Sequence, residues 1–116
     1  MDHKDLEAWK QAMLLVEQVY KASARFPAQE VYGLTSQMRR AAVSVPSNLS
    51  EGAARNGRRE YINFLGISLG SRAELETQSI IASSPGYADT ADILNSIIQV
   101  RALLVGLRNH LKSSTR

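Results

Sequence analysis

Apolar residues near the end of the chain repeat at alternating intervals of four and three. The set is Ile93, Ile97, Val100, Leu104, Leu107 and Leu111. This spacing places all six side chains along one side of an α-helix, in the pattern by which the helices of a bundle pack together. Because a helix of this kind gains most of its stability from helices that cover its apolar side, the repeat predicts an all-α fold.

Three earlier segments also have apolar residues at helical spacing, and no segment alternates like a β-strand. In the first segment the predicted core face is Leu6, Trp9, Met13, Val16 and Tyr20, widened by Leu14, Leu15 and Val19. The four predicted helices cover about residues 5–25, 34–54, 58–84 and 89–112. Helices of this length with short connections form an antiparallel up-down four-helix bundle, and 116 residues correspond to one domain, residues 1–116.

The second helix contains a proline, Pro46, in its interior. Proline cannot donate the backbone hydrogen bond to the residue four positions earlier, and its ring crowds that turn. The helix is therefore either kinked at Pro46 and continued to about Ala54, or replaced by a new helix that has Pro46 in its first position. The apolar spacing continues across Pro46, which favours one kinked helix.

The third helix is apolar on more than one side. Its large apolar residues do not form one narrow stripe, and Gly66 and Gly70 lie among them. Each glycine costs about 1 kcal/mol relative to alanine in a helix interior, which suggests that a neighbouring backbone comes close there. A helix with several apolar sides has more than one partner, so the segment predicts that copies of the chain associate.

The residue inventory excludes most catalytic and metal chemistry. There is no cysteine, and the two histidines, His3 and His110, lie near the termini without a glutamate three residues before either of them. The glutamate–histidine pairs of di-metal bundle enzymes are therefore absent, as are a nucleophile elbow and a phosphate-binding glycine loop. Glu74 and Glu76 point away from each other on a helix, so we expect one in solvent and the other paired with an arginine across an interface. We predict no enzyme activity, cofactor or metal, no membrane association and a cytoplasmic location.

Arginines gather around the connection between the second and third helices. Five of the 14 basic residues are Arg39, Arg40, Arg55, Arg58 and Arg59. Arg58 and Arg59 open the third helix, where the helix dipole disfavours cations, although Glu51 can pair with Arg55 one turn away. Basic residues in that position suggest an external anion, and a ring of subunits would repeat the patch into a band able to hold phosphates. The alternative is an ordinary solvated helix end.

Three stretches carry a resemblance to a known family. They read DLEAWKQA, then YGLTSQMRRAAVSVPSNLSEG, then RREYINFLGISLGSRAELETQ. In these stretches the chain resembles the bacterial four-helix-bundle proteins encoded in intervening sequences of 23S ribosomal RNA genes. The resemblance covers about residues 5–87.

The resemblance implies a homopentameric ring and kinship with the accessory proteins of diversity-generating retroelements, which are basic pentamers that bind RNA and a reverse transcriptase. It implies no catalytic residues, and the five arginines match the family's basic positions. This chain has Gly57 where the family commonly has serine, which removes the side-chain cap of the third helix. It has Ala53 where the family has an aromatic residue, which removes a surface on which bases could stack.

Together these features predict a non-enzymatic, oligomeric nucleic-acid-binding or adaptor protein. The ligand that we expect is structured RNA, contacted by Arg39, Arg40, Arg55, Arg58 and Arg59. The alternative is a self-assembling protein-interaction scaffold that binds another protein and no nucleic acid.

Overall fold

Four long helices make up most of the protein in its computed structural model, which describes residues 3–113 except for the side chain of Asp5. The helices are α1, Glu7–Ser23; α2, Leu34–Ala54; α3, Arg58–Ser83; and α4, Ala91–Ser113. Two short 3-10 turns, His3–Asp5 and Ala28–Glu30, precede α1 and α2. The predicted bounds are correct for α2 and within one or two residues for the other helices.

The helices form the predicted antiparallel four-helix bundle, 51 Å long and 22 by 20 Å across. Each helix packs on two others: α1 and α3 both contact α2 and α4, and α2 and α3 share the most extensive contact. Because the connections are short, consecutive helices run in opposite directions. The end of α1, the start of α2 and the connection from α3 to α4 therefore lie at one end of the bundle. The connection from α2 to α3 lies at the other, with the start of α1 and the end of α4.

The core confirms the four-three repeat of α4 and corrects the predicted face of α1. Ile93, Ile97, Val100 and Leu104 are buried, and Leu107 and Leu111 pack against the core at its edge. In α1 the predicted Leu15 and Val19 are buried, together with Ala8, Ala12 and Ser23, and the predicted Leu6, Trp9 and Val16 pack at the edge of the core. The predicted Met13, Leu14 and Tyr20 are exposed, because Ala8 and Ala12 point inward, where their small side chains let α1 lie close to its neighbours.

Helix α2 continues through Pro46 without a break, as favoured from the sequence. Side chains bind several carbonyl oxygens around the proline. Ser68 of α3 donates to the carbonyl oxygen of Val45 at 2.9 Å, and Ser50 donates to that of Pro46 at 3.0 Å. These bonds add to the helix around a residue that cannot donate its own bond, and that of Ser68 also joins α2 to α3.

Small residues bring α2 and α3 close together. Gly52 is buried, and a β-carbon added to it would lie 2.9 Å from Cβ of Phe64 and 3.0 Å from Cδ1 of Tyr61. Midway along the contact, the hydroxyls of Ser44 and Ser71 share a hydrogen bond of 2.8 Å. The two helices are therefore held in one relative position by direct packing and by polar contacts.

The expected close approach at Gly66 and Gly70 does not occur within this chain. A β-carbon on either residue would meet no atom within 4 Å, and Ile67 between them is half exposed. These glycines face outward because the contacts of α3 with α2 and α4 use its other sides.

Candidate nucleic-acid interface

The connection between α2 and α3 consists of Arg55, Asn56 and Gly57. Arg55 is the C-cap of α2 and has an extended backbone, and Gly57 is the N-cap of α3. No side chain caps the start of α3, as expected from a glycine in this position. The N-terminal end of α3 therefore lies beside the arginines without a side-chain cap, and the start of a helix attracts anions.

Arg55 is held by contacts with both neighbouring helices. It pairs with Glu51 at 3.0 Å and with Glu60 at 4.0 Å, and its guanidinium lies 5.2 Å from the centre of the Phe64 ring. Its side chain is still 44% exposed. The two glutamates orient the guanidinium, and both pairs lie in solvent, so each contributes little to stability.

Arg58 and Arg59 lie in the first turn of α3, and both are exposed. Tyr61, one turn further on, is half buried against Gly52, and this burial raises the pKa of its phenol above the ordinary 10.0. The packing of α2 on α3 thus fixes the backbone from which these two arginines project.

The structure separates Arg39 and Arg40 from the other three arginines. Fifteen residues of helix put Arg40 about 22 Å from Arg55 along the bundle. Arg39 binds the end of α1: its Nε donates to the hydroxyl of Ser23 at 2.8 Å, and its guanidinium lies 4.6 Å from the centre of the Tyr20 ring. Arg40 is exposed and has no ion pair or hydrogen bond among residues 3–113. The five predicted site residues therefore form two groups.

The fold gathers charge at the end of the bundle that contains the connection from α2 to α3. We divide the described chain at the middle of each helix, and we call residues 3–14, 45–70 and 103–113 the junction half. It holds seven basic and four acidic residues, whereas the opposite half, residues 15–44 and 71–102, holds six of each. The basic residues of the junction half are Lys4, Lys10, Arg55, Arg58, Arg59, Arg108 and Lys112. The whole net charge of the described chain thus lies in one half.

Four of those basic residues were missed from the sequence, because Lys4, Lys10, Arg108 and Lys112 are far from the connection along the chain. The 3-10 turn at His3–Asp5 contacts α2, as the antiparallel order of the helices requires. The sequence did contain a signal for their position: because consecutive helices run in opposite directions, the start of α1 and the end of α4 must lie beside the connection from α2 to α3.

Within the described part of the chain, no group of three or more histidine, cysteine, aspartate or glutamate side chains could hold a metal ion. None of its helices is long and apolar enough to cross a lipid bilayer. Glu74 is exposed, as expected, and Glu76 pairs with an arginine, but that arginine is Arg72 of the same helix, at 3.4 Å, and not one across an interface.

Comparison with known proteins agrees with this architecture. A crystal structure of a protein of unknown function from the S23 ribosomal protein family of Bacteroides thetaiotaomicron has the same fold, with a TM-score of 0.82. It is 17% identical, and the match covers 94% of this chain and 99% of that one. No curated protein matches the chain significantly. The sequence model of the family described as 23S rRNA-intervening sequence protein matches residues 4–106. The chain therefore belongs to the 23S rRNA-intervening sequence protein family.

Proposed function

We propose that this protein is a non-enzymatic, oligomeric nucleic-acid-binding or adaptor protein that contacts structured RNA through Arg55, Arg58 and Arg59. The observation that carries the proposal is the concentration of the net charge in the junction half. Like charges gathered on one surface of a protein create a local potential that attracts a polyanion, even when the total charge is small.

The chemistry of these residues fits phosphate groups. Guanidinium groups bind phosphate oxygens with paired hydrogen bonds, and the uncapped start of α3 adds N–H donors beside them. Binding to RNA releases the cations condensed on its phosphates, and this release is favourable at low salt. The folded chain holds Arg58 and Arg59 at a helix start, which repels cations, so an external anion would relieve that repulsion.

Assembly of several copies would enlarge this small surface. Four isoleucines on α3 and α4 are at least half exposed, at positions where a single subunit leaves apolar area in water: Ile67, Ile80, Ile81 and Ile98. Exposed apolar area of this kind marks a contact with another molecule. The open positions at Gly66 and Gly70 would let a helix of another subunit come close. The pentamer implied by the family resemblance would place five junction halves in one assembly.

A matched pair of triple variants tests the proposal. In the first variant Arg55, Arg58 and Arg59 are changed to alanine. In the control the exposed residues Lys21, Arg25 and Arg101 of the opposite half are changed to alanine, which removes the same charge. Binding of an RNA hairpin is measured by fluorescence anisotropy over a series of salt concentrations, and light scattering reports the size of the assembly.

We expect the first variant to bind more weakly and to flatten the plot of log K against log salt by about two to three units, because each lost phosphate contact contributes about 0.7–0.9. The control should keep both the affinity and the slope of the wild type to a much greater extent. Equal losses in the two variants would show that only the total charge matters, and no binding at low salt would falsify the proposal.

The second candidate function is a self-assembling scaffold that binds another protein, and the exposed isoleucines favour it. In that case the arginines would form ion pairs between subunits. Light scattering would then show that the assembly of the Arg55/Arg58/Arg59 variant dissociates. The absorbance of the purified wild type at 260 nm would show no bound nucleic acid.

A further inference from the structure

A polar cleft of about 510 Å³ opens between α2 and α3 in the opposite half of the bundle. Arg40 of α2 and Glu74 of α3 contribute opposite charges to its two walls, and Tyr32 lies at its edge. Small and polar residues line the rest: Ser36, Gln37, Ala41, Ser44 and Ser71. The volume is within the range of small-molecule sites, about 300–1,000 Å³.

The two charged side chains of the cleft remain uncompensated. Arg40 and Glu74 form no ion pair with each other, and among residues 3–113 neither has another ion pair or a hydrogen bond from its side chain. A cleft that presents a cation and an anion on separate walls suits a ligand that carries an anionic group at one end and N–H donors at the other.

The third element of the cleft is an aromatic ring left in solvent. Tyr32 is 95% exposed, so its ring contributes almost nothing to the packing of this chain. An exposed ring of this kind offers a flat surface on which a nucleic-acid base can stack, a contact worth about five- to 150-fold in affinity in single-strand-binding proteins.

We propose that this cleft binds an unpaired guanosine nucleotide within a single-stranded RNA segment. The proposal rests on the proposed RNA function and adds a base preference to it. The base stacks on Tyr32, the carboxylate of Glu74 accepts hydrogen bonds from N1–H and N2–H of guanine, and Arg40 binds a neighbouring phosphate. Guanine presents two adjacent N–H donors on its pairing edge, which match the two oxygens of a carboxylate.

The other three bases fit the same carboxylate poorly. Adenine and cytosine place an acceptor atom beside their amino group, and uracil places acceptors on both sides of its N–H. Each of these acceptors would face a lone pair of Glu74 and repel it. A two-bond contact to the correct base gives about five- to 150-fold discrimination against the other bases. Because the cleft is open to solvent, we expect a value in the lower part of this range, about tenfold.

The test uses four pentanucleotides of equal length and charge, UUGUU, UUAUU, UUCUU and UUUUU, titrated into the full-length protein at low salt. Fluorescence anisotropy gives the dissociation constants. We expect UUGUU to bind the wild type about tenfold more tightly than the other three. Glu74→Gln should bring the four affinities within about twofold, since glutamine presents one donor and one acceptor. Glu17→Gln, at an exposed position of α1 outside the cleft, should keep the preference.

The outcomes of these titrations separate this inference from the proposed function. The guanosine proposal is refuted if the wild type binds all four pentanucleotides equally, or if the guanosine preference persists in Glu74→Gln. Neither result contradicts RNA binding by the junction half. A preference retained by the Arg55/Arg58/Arg59 variant supports the cleft even if that variant no longer binds hairpins. Failure to bind any pentanucleotide overturns the inference, as does dissociation of the assembly by Tyr32→Ala, which would make the cleft a contact between copies.

Discussion

Replacement of Gly52 by alanine should destabilise the protein, although alanine is the better helix former. Gly52 lies in the last turns of α2, where the helix crosses the start of α3. The new methyl group would lie 2.9 Å from Cβ of Phe64, 3.0 Å from Cδ1 of Tyr61 and 3.3 Å from the carbonyl oxygen of Tyr61. Two of these three atoms belong to the backbone or the base of a side chain, so a rotation of a side chain cannot remove the contacts. The helices must separate.

The size of the effect follows from two opposing contributions. Extra volume in a packed contact costs about 1–3 kcal/mol, and the change from glycine to alanine in a helix contributes up to about 1 kcal/mol in favour of the variant. The net loss is therefore about 1 kcal/mol. For a chain of 116 residues the entropy of unfolding converts this loss into a decrease of about 4 °C in Tm.

The assay is thermal and urea unfolding followed by circular dichroism at 222 nm, with Gly106→Ala as the matched control. Gly106 also lies inside a helix, but a β-carbon there would meet no atom within 4 Å. The control should gain up to about 1 kcal/mol, opposite in sign to Gly52→Ala. If both variants gain stability equally, the close contact of α2 with α3 does not limit the fold, and the reasoning about the arginine connection loses its structural basis.

Two further predictions concern single side chains. Arg39→Ala should lower the free energy of unfolding by about 1–2 kcal/mol because it loses its bonds to α1, whereas Arg40→Ala should change it by less than about 0.5 kcal/mol; equal urea midpoints for the two variants would contradict the separate roles. The hydroxyl of Tyr87 donates to Glu30 at 3.1 Å, and this bond raises the pKa of the tyrosine above 10.0. Its stabilisation is therefore complete below pH 10 and is lost as the pH rises through the raised pKa. In urea midpoints measured on both sides of pH 10, the wild type should lose stability more steeply than Tyr87→Phe, and parallel curves would show that the bond does not form in solution.

The spacing of apolar residues predicted where the helices lie in the sequence, but it predicted less well which side of each helix faces the core. The four-three repeat of α4 gave the correct core residues because large aliphatic side chains there do face inward. In α1 the same method found the buried Leu15 and Val19, but it also chose Met13 and Tyr20, which are exposed, and missed Ala8 and Ala12, which are buried. Hydrophobic spacing weights large residues most heavily, whereas the position of α1 depends on how closely it lies to its neighbours. That distance is a property of the packed bundle, and no single segment contains it.

Helix ends show the same dependence on contacts beyond the segment. The N-cap of α2 is Gly33, which has no side chain with which to cap the helix. The backbone N–H of Leu34 instead donates to the carboxylate of Glu30, which also accepts the bond from Tyr87 in the connection between α3 and α4. One glutamate therefore links the start of α2 to a connection 57 residues away along the chain.

The two groups of arginines follow from the direction of the helices. Arg39 and Arg40 are as basic as Arg55, Arg58 and Arg59, and along the sequence they form one cluster. In the bundle, α2 carries the first group to the half that is neutral and the second group to the half that collects the ends of α1 and α4. A long polyanion would therefore meet Arg55, Arg58 and Arg59 as part of a wider positive surface, whereas Arg40 faces Glu74 across a cleft and acts at short range. Affinity should consequently depend on the junction half and on salt, and any choice among bases should depend on the cleft.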